Sequence, residues 1–135
     1  MSEKSNYLGL DWGAKNIGAA LAHQETSVAL AYVTLPNDGD LLRRLGEIIA
    51  ADAVSTIVIG IPEYLHREEK ESGGEKLGKM LAERFGVVVE YQNEMFTTKM
   101  AQANLIERGE KGVSKHNDAE AARIILQEWL DKKGV

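Results

Sequence analysis

Three carboxylates stand where chain segments begin or end. Asp11 closes the apolar run Tyr7-Leu-Gly-Leu-Asp11, Glu94 comes shortly after the run Val87 to Tyr91, and Asp118 opens the final amphipathic segment. Hard divalent cations are held by carboxylate oxygens that converge from separate segments. Each acid also has an ordinary structural use. Asp11, close to Gly13, can bond the amides of its own turn. Glu94 precedes Thr97, a candidate helix N-cap, and Asp118 lies in Asn117-Asp-Ala-Glu120, which looks like a capping arrangement. An acid in a first helical turn is stabilised by roughly 0.3–1 kcal/mol through the helix dipole alone. Asp118 differs in sharing a helical face with Ala122, Ile125 and Trp129. It therefore faces the sheet rather than water, and a carboxylate so placed needs a partner.

Few cations accompany these acids. Lys15 is the one cation of the loop Trp12-Gly-Ala-Lys-Asn16 and could touch a phosphate. Arg108, Lys111, Lys115 and His116 bracket the start of the last helix and could form a local phosphate-binding patch. Solvated loop residues are the alternative in each case. His23, His66 and His116 fall in no helical or hairpin pairing of the kind zinc sites use. Gly13 and Gly18 let backbone pass close to a substrate or to the sheet itself.

The elements that must position the acids follow from apolar periodicity. Tyr7–Asp11 reads as a strand, and Ile17, Ala19 and Leu21 alternating with Gly18, Ala20 and Ala22 as a second, closely packed on both faces. Ser27–Leu35 reads as a third, stopped by Pro36-Asn37-Asp38-Gly39. A helix from about Asp40 to Ala51 carries Leu41, Leu45, Ile48 and Ile49 on one face. Thr56-Ile-Val-Ile-Gly60 is a continuous apolar run, as in a parallel strand buried on both sides. The charged stretch Glu63 to Glu75 reads as a loop. A helix follows with Leu77, Met80, Leu81 and Phe85 on one face and Gly86 as its C-terminal glycine. Val87–Tyr91 gives a fifth strand, Thr97–Arg108 a helix closed by Gly109, and Asn117–Lys132 the last helix.

The first three strands are linked too tightly for crossovers and form an antiparallel meander, while the later ones are joined through helices and run parallel. The predicted fold is α/β, a mixed five-stranded sheet flanked by helices. Ligands of such sheets bind beyond the carboxyl ends of the parallel strands, where Asp11 and Glu94 fall.

Composition sets the outer limits. The 135 residues fit one domain, spanning 1–135, and an apolar share of 44% is that of a water-soluble globular chain. No run of eighteen apolar residues and no signal peptide is visible, so a cytoplasmic protein without a membrane is expected. Cysteine is absent, which excludes disulfides, thiolate metal sites and cysteine nucleophiles. With 21 acidic and 16 basic residues the net charge is −5. Broad, sequence-blind binding to a polyanion calls for the opposite sign. Any nucleic acid would be held weakly and through a local patch.

Four segments carry a family resemblance. Leu8-Gly-Leu-Asp-Trp-Gly-Ala-Lys-Asn-Ile-Gly18 resembles the opening motif of the YqgF family, also called RuvX-like, of Holliday junction resolvases and pre-16S rRNA nucleases. Val58-Ile-Gly-Ile-Pro62, Gln92-Asn-Glu-Met-Phe-Thr-Thr98 and Lys115-His-Asn-Asp-Ala-Glu-Ala-Ala122 are similar to its later motifs, in order and at family spacing. The resemblance implies a ribonuclease-H-like fold and a phosphodiesterase site using Mg2+ or Mn2+, with Asp11, Glu94 and Asp118 as ligands. Two such ions about 4 Å apart can activate a water and stabilise the leaving oxygen. Lys15, Arg108 and Lys115 become the candidates for substrate binding. The chain departs from the family pattern at Asn93, where an aspartate is usual, at Met95, where an arginine is usual, and in the loop after Pro62.

The implied activity is trimming of a pre-16S rRNA end, with resolution of a branched DNA junction as the alternative of the same class. The first needs only a monomer, whereas cutting two strands of a junction calls for a homodimer. Asn93 and Met95 also motivate a third reading, a catalytically weakened nucleic-acid or ribosome-associated binding module. Leu10-Asp-Trp-Gly13 further resembles the phosphate loop of sugar-kinase and actin-like ATPases, but those close two domains of this kind around ATP and 135 residues supply one.

Overall fold

The computed structural model describes residues 5–61, 73–93 and 118–134. Strand β1 (Asn6–Asp11) pairs antiparallel with β2 (Asn16–Ala22), and β2 with β3 (Ala29–Pro36). Helix α1 (Leu41–Ala51) leads to β4 (Val54–Ile61), which lies parallel to β1. Helix α2 (Gly73–Phe85) leads to β5 (Val88–Asn93), parallel to β4. Helix α3 (Asp118–Lys133) ends the described chain. The sheet order is β3-β2-β1-β4-β5, the mixed five-stranded sheet expected from the connection lengths. The expected helix over 97–108 lies outside the described residues. Among the described residues no helix is long and apolar enough to cross a membrane.

Alternation along the strands divides the apolar side chains into two cores, one on each face. Leu8, Leu10, Ile17, Ala19, Ile57 and Ile59 pack under α1 and α2 with Leu45, Ile49, Leu77 and Leu81. On the opposite face Ala20, Ala22, Ala29 and Val58 meet Ala122, Ile125, Leu126, Trp129 and Leu130 of α3. Trp129 is core, as its spacing suggests, and its indole N–H donates to Glu90 Oε1 at 3.3 Å.

Three boundaries and one helix face are among the differences from the periodicity reading. β3 starts at Ala29, because Ser27 adopts a left-handed φ of 55° and its N–H closes a turn onto the His23 carbonyl at 3.0 Å. Gln127 of α3 then takes the place of a neighbouring strand, accepting the Ala29 N–H at 2.8 Å and donating to the Ser27 carbonyl at 3.3 Å. α2 begins at Gly73, so the end of the charged stretch is helical. Its buried stripe is Gly74, Leu77, Gly78 and Leu81, and Met80, expected inside, is 45% exposed. β5 runs on to Asn93 rather than stopping at Tyr91. Gly86 does end α2, with φ at 68° and its N–H on the Ala82 carbonyl at 3.0 Å.

Candidate active site

β1 is the central strand, and Asp11 is its last residue. The register places Asp11 opposite Gly18 of β2 on one side and Gly60 of β4 on the other, and Gly60 opposite Gln92 of β5. Residues in one row of a sheet point to the same face. The face is that of α3: two residues back along each strand, Gly9 abuts Leu126, Val58 belongs to the α3 core, and Glu90 bonds Trp129. Asp11, half-buried, thus stands at the carboxyl end of β1 between two residues without side chains.

Gly18 is what brings Asp118 to that place. A Cβ added at Gly18 would overlap the carbonyl of Asp118 and lie 2.8 Å from the Ala119 nitrogen. Gly9 performs the same service one turn further on, where a Cβ would come within 2.6 Å of Leu126 Cβ and 3.0 Å of the Ala122 carbonyl. The first turn of α3 rests on bare backbone, and Asp118 lies over the residue paired with Asp11. One acid closes the central strand, and the other opens the helix seated on that strand's paired residue.

Burial at this spot raises the pKa of Asp118 above the usual carboxylate value. A raised carboxyl pKa in the folded state means that ionisation works against folding: the penalty is absent below the unfolded-state pKa and complete above the folded one. Asp118→Asn is therefore expected to raise the Tm of the metal-free chain slightly at neutral pH, by a few degrees at most. The gain should fade as pH falls through the carboxylate range. Thermal melts of both chains from pH 3 to 8 check this, and a gain that persisted at the acid end would assign it to some other cause.

The loop after Asp11 is tied down from outside. The Asn37 side-chain amide donates to the Gly13 carbonyl at 2.8 Å, and its backbone N–H donates to the Lys15 carbonyl at 2.8 Å. Gly13 is a turn glycine, since a Cβ there would sit 2.5 Å from the Asn16 carbonyl. Trp12 lies against Gly73, at the start of α2. Lys15, exposed, is carried on this anchored loop a few residues from Asp11.

Of the other expected site residues, Glu94, Arg108 and Lys115 lie outside the described residues, as do Met95 and His116. Among the described residues no group of three acids or histidines forms a metal cluster. Two residues escaped the sequence reading. Asn37 was visible only as part of a Pro-Asn-Asp-Gly turn. Gln92 is the one buried polar side chain among the described residues, 5% exposed, and it fell outside the strand when β5 was ended at Tyr91.

Residues 5–132 match the family model described as RuvX, Holliday junction resolvase. A protein of Oenococcus oeni named "Putative pre-16S rRNA nuclease" is 38% identical, over 94% of each chain. A protein of the same name from Streptococcus sanguinis is 33% identical over 93% of this chain and 96% of its own. Among solved structures, Thermus thermophilus RuvC in complex with a Holliday junction substrate aligns at a TM-score of 0.57 with 16% identity over 96% of both chains. The fowlpox virus resolvase with Holliday junction DNA aligns at 0.60 with 10% identity, over 96% of this chain and 99% of that one. The fold is therefore ribonuclease-H-like, with the sheet of the RuvC-type resolvases. With a family model matched along nearly its whole length, the chain belongs to the RuvX, Holliday junction resolvase, family and is a nucleic-acid-hydrolysing enzyme.

Proposed function

We propose that this chain is a divalent-metal-dependent nuclease that trims the precursor of 16S rRNA, with Asp11, Glu94 and Asp118 as the metal-holding carboxylates. The observation that supports it best is the packing of Asp118 on Gly18, the strand partner of Asp11, at the carboxyl end of the central strand. The donor set fits the ion. Two acids from different segments offer hard oxygen ligands, and a cation would offset the burial that raises the Asp118 pKa. Glu94, next in sequence after the last residue of β5, is assigned as the third ligand from the family motif. A bound Mg2+ or Mn2+ supplies an activated water and charge neutralisation at the phosphate.

The chain's own residues do the remainder. Asn37 fixes the loop that begins at Asp11, which limits the motion of the carboxylate and of Lys15 together. Lys15, with Arg108 and Lys115, supplies the positive charge that the chain as a whole, at −5, does not. The relatives' names favour RNA. The solved neighbours in complex with Holliday junctions motivate junction resolution as the alternative reading. Incubating the purified chain with a precursor 16S rRNA fragment and, separately, with a four-way DNA junction, each with Mg2+ or Mn2+, decides between them. Cleavage of the precursor alone supports the first reading, and paired incisions in the junction alone replace it. If neither is cut and neither ion binds, the chain acts as a binding module.

Met95 gives a prediction peculiar to this sequence. The family motif has an arginine here, a planar bidentate donor for phosphate, and methionine offers only an apolar chain. Charge-assisted hydrogen bonds contribute roughly 1.5–3 kcal/mol each, so Met95→Arg is expected to strengthen RNA or junction binding by about tenfold to a hundredfold. The salt dependence should steepen by about one counterion. Adding Asn93→Asp should enlarge the gain by holding the new arginine in place. Titrations at several salt concentrations measure both, and an unchanged affinity and slope would mean that phosphate does not pass this corner.

A further inference from the structure

We propose that Gln92 is a further ligand-binding group of the site, its side-chain amide holding a water of the hydrated divalent cation. The inference rests on the metal reading given above. Gln92 stands in the same row as Asp11, two strands away, and the residue between them is Gly60, so no side chain intervenes. Glu90, two residues earlier, points onto α3 and bonds Trp129, which fixes the face that Gln92 shares. Strands are about 4.8 Å apart. A glutamine and an aspartate two strands apart on one face can reach one shared water or ion but are not in direct contact through their backbones.

The burial makes the case. Gln92 is 5% exposed, and among the described residues no hydrogen-bond partner is found for its amide. A buried amide brings two donors and an acceptor that are costly to leave unmet. Glu90, on the same strand and face, is by contrast engaged twice, by the Trp129 indole and by Lys133 Nζ at 3.5 Å. A polar side chain at such a position, on the same face as Asp11 and at the same end of the sheet, suits water held between itself and a cation. Groups behind the direct ligands of a metal set the orientation of its water, and their loss typically lowers metal affinity by about tenfold to a hundredfold.

Two variants test it, each read by Mn2+ calorimetry and by melting of the metal-free chain. Gln92→Leu keeps the volume and removes the amide. If the amide awaits a ligand, the metal-free Tm should hold or rise, because an unmet polar group is gone, while Mn2+ affinity falls by about tenfold to a hundredfold. Gln92→Glu keeps the shape and adds a charge. It should tighten Mn2+ binding and lower the metal-free Tm, since another carboxylate joins Asp11 and Asp118. A Gln92→Leu chain that melts lower yet binds Mn2+ like the parent would make Gln92 a structural residue and overturn the proposal, as would Gln92→Glu with unchanged affinity. Should the parent chain bind neither Mn2+ nor Mg2+, the metal reading itself fails and this proposal with it. That outcome is distinct from a parent that binds and variants that bind equally well.

Discussion

Asp11→Asn is expected to abolish Mg2+- or Mn2+-dependent cleavage while leaving the fold intact. Asp11 is central by position: it ends the middle strand, has a glycine on each side in its row, and pairs with the glycine on which the first turn of α3 rests. The asparagine keeps the shape but surrenders the charge that a hard cation requires. Removal of one group that stabilises charge in a transition state commonly costs about 10²–10³ in rate, and loss of a ligand in the proposed metal site should cost at least that. The metal-free Tm should be unchanged or higher if the proposed site gathers carboxylates, since one of them has been neutralised. Single-turnover cleavage, a Mn2+ titration and a melt on the same preparation give the three readings. A variant that still cuts at parental rate with either ion would remove Asp11 from the mechanism.

Gly18→Ala should be nearly as damaging to the site, by a different route. The new methyl would occupy the space of the Asp118 carbonyl, which is backbone and cannot rotate away. Either β2 bends or the first turn of α3 lifts. Overpacking of this kind costs roughly 1–3 kcal/mol, or a Tm lower by about 3–15 °C for a domain of this size. Metal affinity should fall as well, because Asp118 moves with its turn. Gly39→Ala is the control: a Cβ there meets nothing within 4 Å, so neither stability nor metal binding should change appreciably. If Gly18→Ala were as silent as Gly39→Ala, α3 would not be seated on β2 in the manner described.

These two residues mark the extent of what the sequence makes legible. Asp11 is readable because an apolar run that stops on a carboxylate next to glycine is a local pattern. The strands and their pairing sense are readable for the same reason, as alternation and connection length are local properties. Gly18 was seen as a place of close approach, but not what approaches it. That depends on the register of a helix from the far end of the chain, which no local pattern encodes. The start of α2 reads as loop because it lies in the charged stretch Glu63 to Glu75, where Gly73 and Gly74 are also poor helix formers. Their use is tertiary: Gly74 lets the helix close on Ile59 and Ile61, and Gly73 makes room for Trp12. Gln92 shows the same limit, since a glutamine at the end of a strand reads as surface until the elements around it are placed.

The order of the elements has a kinetic consequence. α3 comes last in the chain yet packs on β1, β2 and β3, the first three strands, and its Gln127 is bonded to Ser27, 100 residues earlier. Contacts of such long range close late, because loop entropy must be overcome before they form. Until α3 arrives, the alanine-lined face of the sheet has no cover and Asp11 has no Asp118 beside it. A chain halted during synthesis at residue 117 would possess the central strand and its acid but only part of a site. On the proposed assignment of the acids, the site is completed only when α3 docks.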